Sequence, residues 1–279
     1  MLLRRSLMTA LTALGLLAAG QPAVSAATPH YYVSLGDSLS QGYQPGLGDT
    51  DQGYPDQLFA TLKAGDPALE LVKLGCSGET STSMLKGGLC TYDGASSQLA
   101  AAEAFLRAHR GQVRYLTIDI GANDVQRCLV GGAINAACIL QGAGAITTNL
   151  PQITARLRLA AGTGTRFAAM NYYDPFLASW LKGTDGHTLA VESALLTNVI
   201  NSLEASVYLV AGFRVADVSA AFATNDFATQ ATLPSVGQVP LNVARICTWT
   251  YMCAKGDIHA NPTGYQRIAA TLAATLARR

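Results

Sequence analysis

From residue 30 onward the chain alternates short β-rich runs with longer segments of helical spacing, and few folds accept that alternation. The strand candidates are residues 30–35, 69–74, 113–120, 165–171 and 213–218. The third is apolar enough for a sheet covered on both faces. Helical spacing runs through 54–64, where Leu58, Phe59 and Leu62 share a face, and through 96–110, with Leu99, Phe105 and Leu106. It returns at 144–161 and at 190–210, where Val191, Leu195, Val199, Leu203 and Val207 recur at helical intervals. Pro262 after Asn261 marks the start of a last helix reaching about residue 276. Strands alternating with helices imply an α/β fold, a three-layer α/β/α sandwich around a mostly parallel five-stranded sheet. Residues 219–256 have weak periodicity and read as a long excursion before the last helix.

The first 26 residues read as a signal peptide rather than as part of the fold. Arg4 and Arg5 form a basic start, an apolar stretch covers 7–19, and Val24-Ser25-Ala26 supplies small residues for cleavage. That stretch is too short for a membrane anchor, and no later segment could span a bilayer. Residues 27–279, about 250 in number, are enough for one domain with a sizeable core. Losing Arg4 and Arg5 from 19 basic and 18 acidic side chains leaves a net charge of −1. A near-neutral chain without a basic cluster excludes nucleic acid and anionic surfaces as main partners. The expectation is a secreted, extracellular, soluble monomer.

Six cysteines follow the signal segment, and an even number in an exported protein reads as three disulfides. They fall in close pairs along the chain, which predicts Cys76–Cys90, Cys128–Cys138 and Cys247–Cys253. Such short loops add modest stability, so their expected task is to hold functional loops in shape. Metal binding is the rival reading, but no pair has C-x-x-C spacing and no histidine stands beside one.

In parallel α/β sheets, ligands bind beyond the carboxyl ends of the strands. Gly36-Asp37-Ser38-Leu39-Ser40 follows the first strand and places Ser38 at a strand-to-helix turn, either as a nucleophile or simply as a cap. Gly75-Cys76-Ser77-Gly78-Glu79 follows the second; Gly78 can bring its backbone N–H to a substrate oxygen with no side chain in the way. Ile120-Gly121-Ala122-Asn123-Asp124 follows the third, and Asn123 can donate its side-chain N–H to an oxyanion. As plain structure, the second is a common loop and the Asn a turn residue. Asp257-Ile258-His259-Ala260-Asn261-Pro262 precedes the last helix. Of four histidines, His259 is the one placed to reach the crevice.

In this order and spacing, the four blocks resemble the SGNH/GDSL hydrolase family over Tyr31 to about Ala270. The resemblance implies a flavodoxin-like fold and an esterase or lipase activity. It implies Ser38 as nucleophile, His259 as general base, and an oxyanion hole formed by the Ser38 and Gly78 amides with the Asn123 side chain. The cysteine pattern is similar to that of secreted actinobacterial-type esterases within the family. One departure stands out. The family's acid lies three residues before the histidine, where this chain has Gly256. Either Asp257, two residues before, reaches the imidazole through a reshaped turn, or a backbone carbonyl near Gly256 orients it.

No G-x-S-x-G elbow, G-x-x-x-x-G-K loop, G-x-G-x-x-G fingerprint or H-E-x-x-H pair occurs. No cofactor and no metal are expected. Phe176, Trp180, Trp249 and Tyr251 are candidates for an acyl pocket, or else for core. Acyl or lipid esters are the expected substrates. Polysaccharide deacetylation, lipid acyl transfer and a non-catalytic binding module are the alternatives.

Overall fold

In a computed structural model of the protein, residues 28–130 and 133–278 are described. The predicted signal segment, 1–26, lies outside the described residues. Five strands build the central sheet: β1 (His30–Gly36), β2 (Leu69–Lys73), β3 (Val113–Asp119), β4 (Arg166–Met170) and β5 (Arg214–Ala216). Their order is β2-β1-β3-β4-β5, and every pairing is parallel. The chain leaves β1 toward one edge and then crosses to the other side for β3. The carboxyl ends of β1 and β3 therefore flank a topological switch point, where such sheets open a crevice.

Alternating side chains divide each strand between two cores, as a sheet covered on both faces requires. Val33 and Leu35 of β1, Leu116 and Ile118 of β3, and Phe167 and Ala169 of β4 enter one core. Tyr32, Ala168 and Met170 point into the other. The first core is closed by α2 (Gln98–Ala108) and α3 (Ala136–Ala161), the second by α1 (Tyr54–Lys63) and α5 (Pro262–Ala277). The long α4 (Thr184–Val210) contributes to both, through Ile200 and Tyr208 to the first and Ala190 and Ala194 to the second.

The helix starts follow local chemistry. The Ser97 side chain accepts from Ala100 N at 3.1 Å, and the Asn261 side chain accepts from Gly264 N at 3.1 Å. Two helices begin earlier than periodicity indicates. Asn135 caps α3, accepting from Cys138 N at 3.1 Å, so the helix starts at Ala136, eight residues ahead of the first periodic position. Gly142 and Gly144 obscure that start; Gly142 packs against the Asp124 carbonyl, where a Cβ would clash. The first turn of α4 is Thr-Asp-Gly-His, a composition that reads as loop. The excursion over 219–256 is more ordered than expected. It holds an antiparallel hairpin, Gln230–Leu233 with Gly237–Pro240, and helices Leu241–Trp249 and Met252–Lys255. Leu233, Val239, Val243 and Ala244 form its own small core. Disulfides join Cys76–Cys90, Cys128–Cys138 and Cys247–Cys253, the expected pairing. No helix among the described residues is long and apolar enough to cross a membrane.

Candidate active site

The site begins where β1 ends. Gly36 has φ of +139°, and a Cβ there would run into the Asp119 backbone carbonyl, so only glycine fits. Asp37 then caps a four-residue helix, Ser38–Gln41, by accepting from Leu39 N at 2.9 Å. This turn presents Ser38, and its Oγ lies 2.8 Å from His259 Nε2.

His259 is held from several sides. Tyr251 N donates to the His259 carbonyl at 2.9 Å and Asn261 N to the Trp249 carbonyl at 2.9 Å, an antiparallel bridge between the two segments. The Cys247–Cys253 disulfide closes a loop around the bracing segment. Tyr173 OH donates to the Ile258 carbonyl at 2.8 Å, and the Tyr43 ring lies 4.4 Å from the imidazole, centroid to centroid. Of the two arrangements the sequence leaves open, the structure has the Asp257 carboxylate on the imidazole. Its Oδ1 is 2.7 Å from Nδ1 and also accepts from His259 N at 3.0 Å. The second bond is an Asx turn, in which an aspartate reaches the amide two residues on. Gly256, at φ +67°, ends the preceding helix and lets the chain enter that turn. The short spacing is thus the span of one Asx turn. With the proton on Nδ1 donated to Asp257, Nε2 is left to accept the Ser38 hydroxyl.

Asn123 follows β3 in the short helix Ala122–Val125 and lines the same cleft as Ser38 and His259. Its Nδ2 donates to the Glu79 carbonyl at 2.9 Å, and its Oδ1 accepts from Gln126. One Asn123 N–H is left over. Gly78 precedes Glu79 and takes φ of +86°. The amides of Ser38 and Gly78 have no acceptor among the described residues.

Beneath Ser38, beside Asp37 of the first block, lie Asp119, Tyr54 and Tyr172, which no motif or spacing marked. Asp37 and Asp119 are both buried, and Tyr172 OH donates to Asp37 Oδ2 at 3.1 Å while Tyr54 OH donates to Asp119. Burial pushes both carboxyls above the usual range, and for Asp119 the neighbouring Asp37 charge adds to it. Gln98 was also missed. The only sequence signal for these residues is a polar side chain at the end of, or within, an otherwise apolar element.

The cleft beside Ser38 has a volume of about 90 Å³ and is mostly apolar: Leu39, Val125, Leu129, Phe176, Leu196 and Ile200 form its walls. Of the four aromatics that the sequence leaves open between pocket and core, Phe176 lines the cleft. The others are committed elsewhere: Trp180 stacks on His187, Trp249 packs edge-on to Phe222, and Tyr251 OH donates to Gln44 at 2.6 Å.

Asp174 lies in the cleft wall, accepting from Ser193 Oγ at 2.7 Å and Phe176 N at 2.9 Å. Burial pushes its carboxyl up to about 6 from 3.8. The folded state then holds this proton longer than the unfolded chain does, so this group lowers stability as pH rises through about 4 to 6. Asp174→Asn is expected to flatten that part of the stability–pH curve. Urea midpoints from pH 4 to 7 check it, and an unchanged slope contradicts the assignment.

The profile of the GDSL-like lipase/acylhydrolase family matches residues 34–267. The fold is similar to that of an extracellular lipase from Streptomyces rimosus, with TM-score 0.53 and 18% identity over 88% of this chain and 99% of that one. It is also similar to the acetylxylan esterase Axe2 from Geobacillus stearothermophilus, with TM-score 0.52 and 15% identity over 90% of this chain and 95% of that one. No curated protein matches the chain in sequence.

Proposed function

The chain belongs to the GDSL-like lipase/acylhydrolase family of carboxylic ester hydrolases, and on that premise we propose that it is a secreted serine esterase or lipase. In this reading, Ser38 is the nucleophile, His259 the base and Asp257 the group orienting it. The observation that carries the reading is the chain of two hydrogen bonds, 2.8 Å from Ser38 to His259 and 2.7 Å from His259 to Asp257, at the edge of an apolar cleft. Residues 1–26 serve as the export signal and residues 27–279 as one monomeric domain. Three disulfides support an oxidising destination.

The reaction is two-step acyl transfer. His259 takes the Ser38 proton as Oγ attacks the ester carbonyl, and the amides of Ser38 and Gly78 with Asn123 Nδ2 receive the developing oxyanion. The imidazolium, stabilised by Asp257, then protonates the leaving alcohol. Water attacks the acyl-enzyme by the same route. The apolar walls favour acyl chains longer than acetyl, because each buried CH₂ contributes about 0.8 kcal/mol.

Hydrolysis of p-nitrophenyl esters from acetate to palmitate tests the reading. The expected result is kcat/KM rising from acetate into medium chains. Activity confined to acetate would move the substrate to acetylated glycans, and no activity on any ester would overturn the assignment. Asn123→Ala is expected to lower kcat about 10²–10³-fold with little change in KM, as for loss of one oxyanion donor. A change in KM alone would remove Asn123 from that role.

A further inference from the structure

We propose that Gln98 is a positioning residue for acyl transfer, a single side chain that fixes the turn presenting Ser38 relative to the loop carrying Gly78. The inference rests on the roles proposed above for Ser38, Gly78 and Asn123. Gln98 opens α2 and is fully buried, where an amide is costly unless its bonds are made. Its bonds go to the site rather than to the core. Oε1 accepts from Gly36 N at 2.7 Å, and Nε2 donates to the Gly36 carbonyl at 2.9 Å. The side-chain amide thus pairs with both polar groups of Gly36 as a neighbouring strand would. Nε2 also donates to Glu79 Oε2 at 2.9 Å.

Each of those partners is one or two residues from a proposed oxyanion donor. Gly36 stands two residues before Ser38, and its carbonyl also accepts from Cys76 N at 3.0 Å. Glu79 follows Gly78, its amide closes the turn onto the Cys76 carbonyl at 3.0 Å, and its own carbonyl holds Asn123 Nδ2 at 2.9 Å. Gln98 therefore bonds directly to the segments at the ends of β1 and β2, and Glu79 carries the link on to Asn123 after β3. Packing of α2 on the sheet is carried by other residues, namely Leu99, Ala102 and Leu106. A preorganised oxyanion hole works because its donors do not have to move as charge develops. Displacement of a reacting group by about 1 Å costs about 10²-fold in rate.

The test compares the wild type, Ser38→Ala, Gln98→Met and Gln98→Glu, with competent sites counted by fluorophosphonate labelling to completion. Gln98→Met keeps length and volume but removes all three bonds. It is expected to lower kcat per labelled site about 10²-fold, with KM within about twofold of wild type. A purely structural role would lower Tm and the number of labelled sites, leaving kcat per site unchanged. Gln98→Glu adds a pH readout. Protonated, the new carboxyl can accept from Gly36 N and donate to Glu79; ionised, it faces the Glu79 carboxylate. The other titratable groups directed at this pair, Asp37 and the Tyr92 phenol, are acids and add no compensating positive charge.

The ratio of Gln98→Glu to wild-type kcat is therefore expected to rise as pH falls. Wild-type kcat per site in Gln98→Met, or a flat ratio in Gln98→Glu, overturns the proposal, and the second variant decides if the first does not fold. If the wild type takes no label, the Ser38 assignment falls and this inference with it. If the wild type labels and Ser38→Ala does not, a negative result concerns Gln98 alone.

Discussion

Ser38→Ala is expected to lower kcat by about 10⁴–10⁶-fold while leaving Tm nearly unchanged. The Ser38 hydroxyl has one side-chain partner, the His259 ring nitrogen. Removing it deletes the attacking atom without stranding a buried polar group, since the imidazole stays bonded to Asp257 and Ser38 is half-buried at the cleft edge. Binding of the ester to the apolar walls does not need the hydroxyl, so KM should hold. Residual turnover would come from the oxyanion donors acting on water attack. Ester hydrolysis and fluorophosphonate labelling of purified variant and wild type, side by side, check this. Retained hydrolysis in the variant would mean that another nucleophile does the work.

Asp257→Asn is expected to cost about 10⁴-fold in kcat. The substitution is nearly isosteric, and its Oδ1 can still accept from the His259 amide, so the Asx turn survives. What changes is the charge on that oxygen. The same Oδ1 faces Nδ1, and as a neutral amide oxygen it is a weaker acceptor that holds the proton on Nδ1 less firmly, leaving more of the tautomer that cannot take the Ser38 proton. The imidazolium formed during attack also loses its counter-charge. A loss below about tenfold would mean that main-chain contacts orient the ring well enough alone. Those contacts exist, from Tyr251 N to the His259 carbonyl and from Tyr173 OH to the Ile258 carbonyl, which makes the experiment decisive between the two.

Much of this architecture was legible in the chain because it depends on local rules. The five strands and the last helix announce themselves through apolar runs, caps and Pro262. Three loops at strand ends and the turn before the last helix carry Ser38, Gly78, Asn123 and His259 in sequence order. The reach of Asp257 was not legible as a motif, because an Asx turn is defined by a side-chain oxygen and a backbone amide, not by family spacing. The buried polar layer was also hidden. Gln98, Asp119 and Tyr172 reach their partners across separations such as the 62 residues between Gly36 and Gln98, and no periodicity encodes such a contact. The aromatics stayed ambiguous for a related reason. Trp249 and Tyr251 lie close in sequence to His259, yet their rings pack away from the cleft and brace the segment that supports it.

The two atoms placed to exchange a proton are carried 221 residues apart. Ser38 is synthesised before four of the five sheet strands, and His259 after all of them. A chain stopping before residue 259 lacks both His259 and α5, whose Tyr265, Ile268 and Leu272 close the second core. In the proposed reading, the base and the last wall of that core arrive together, so the order of the sequence couples activation of the serine to completion of the fold.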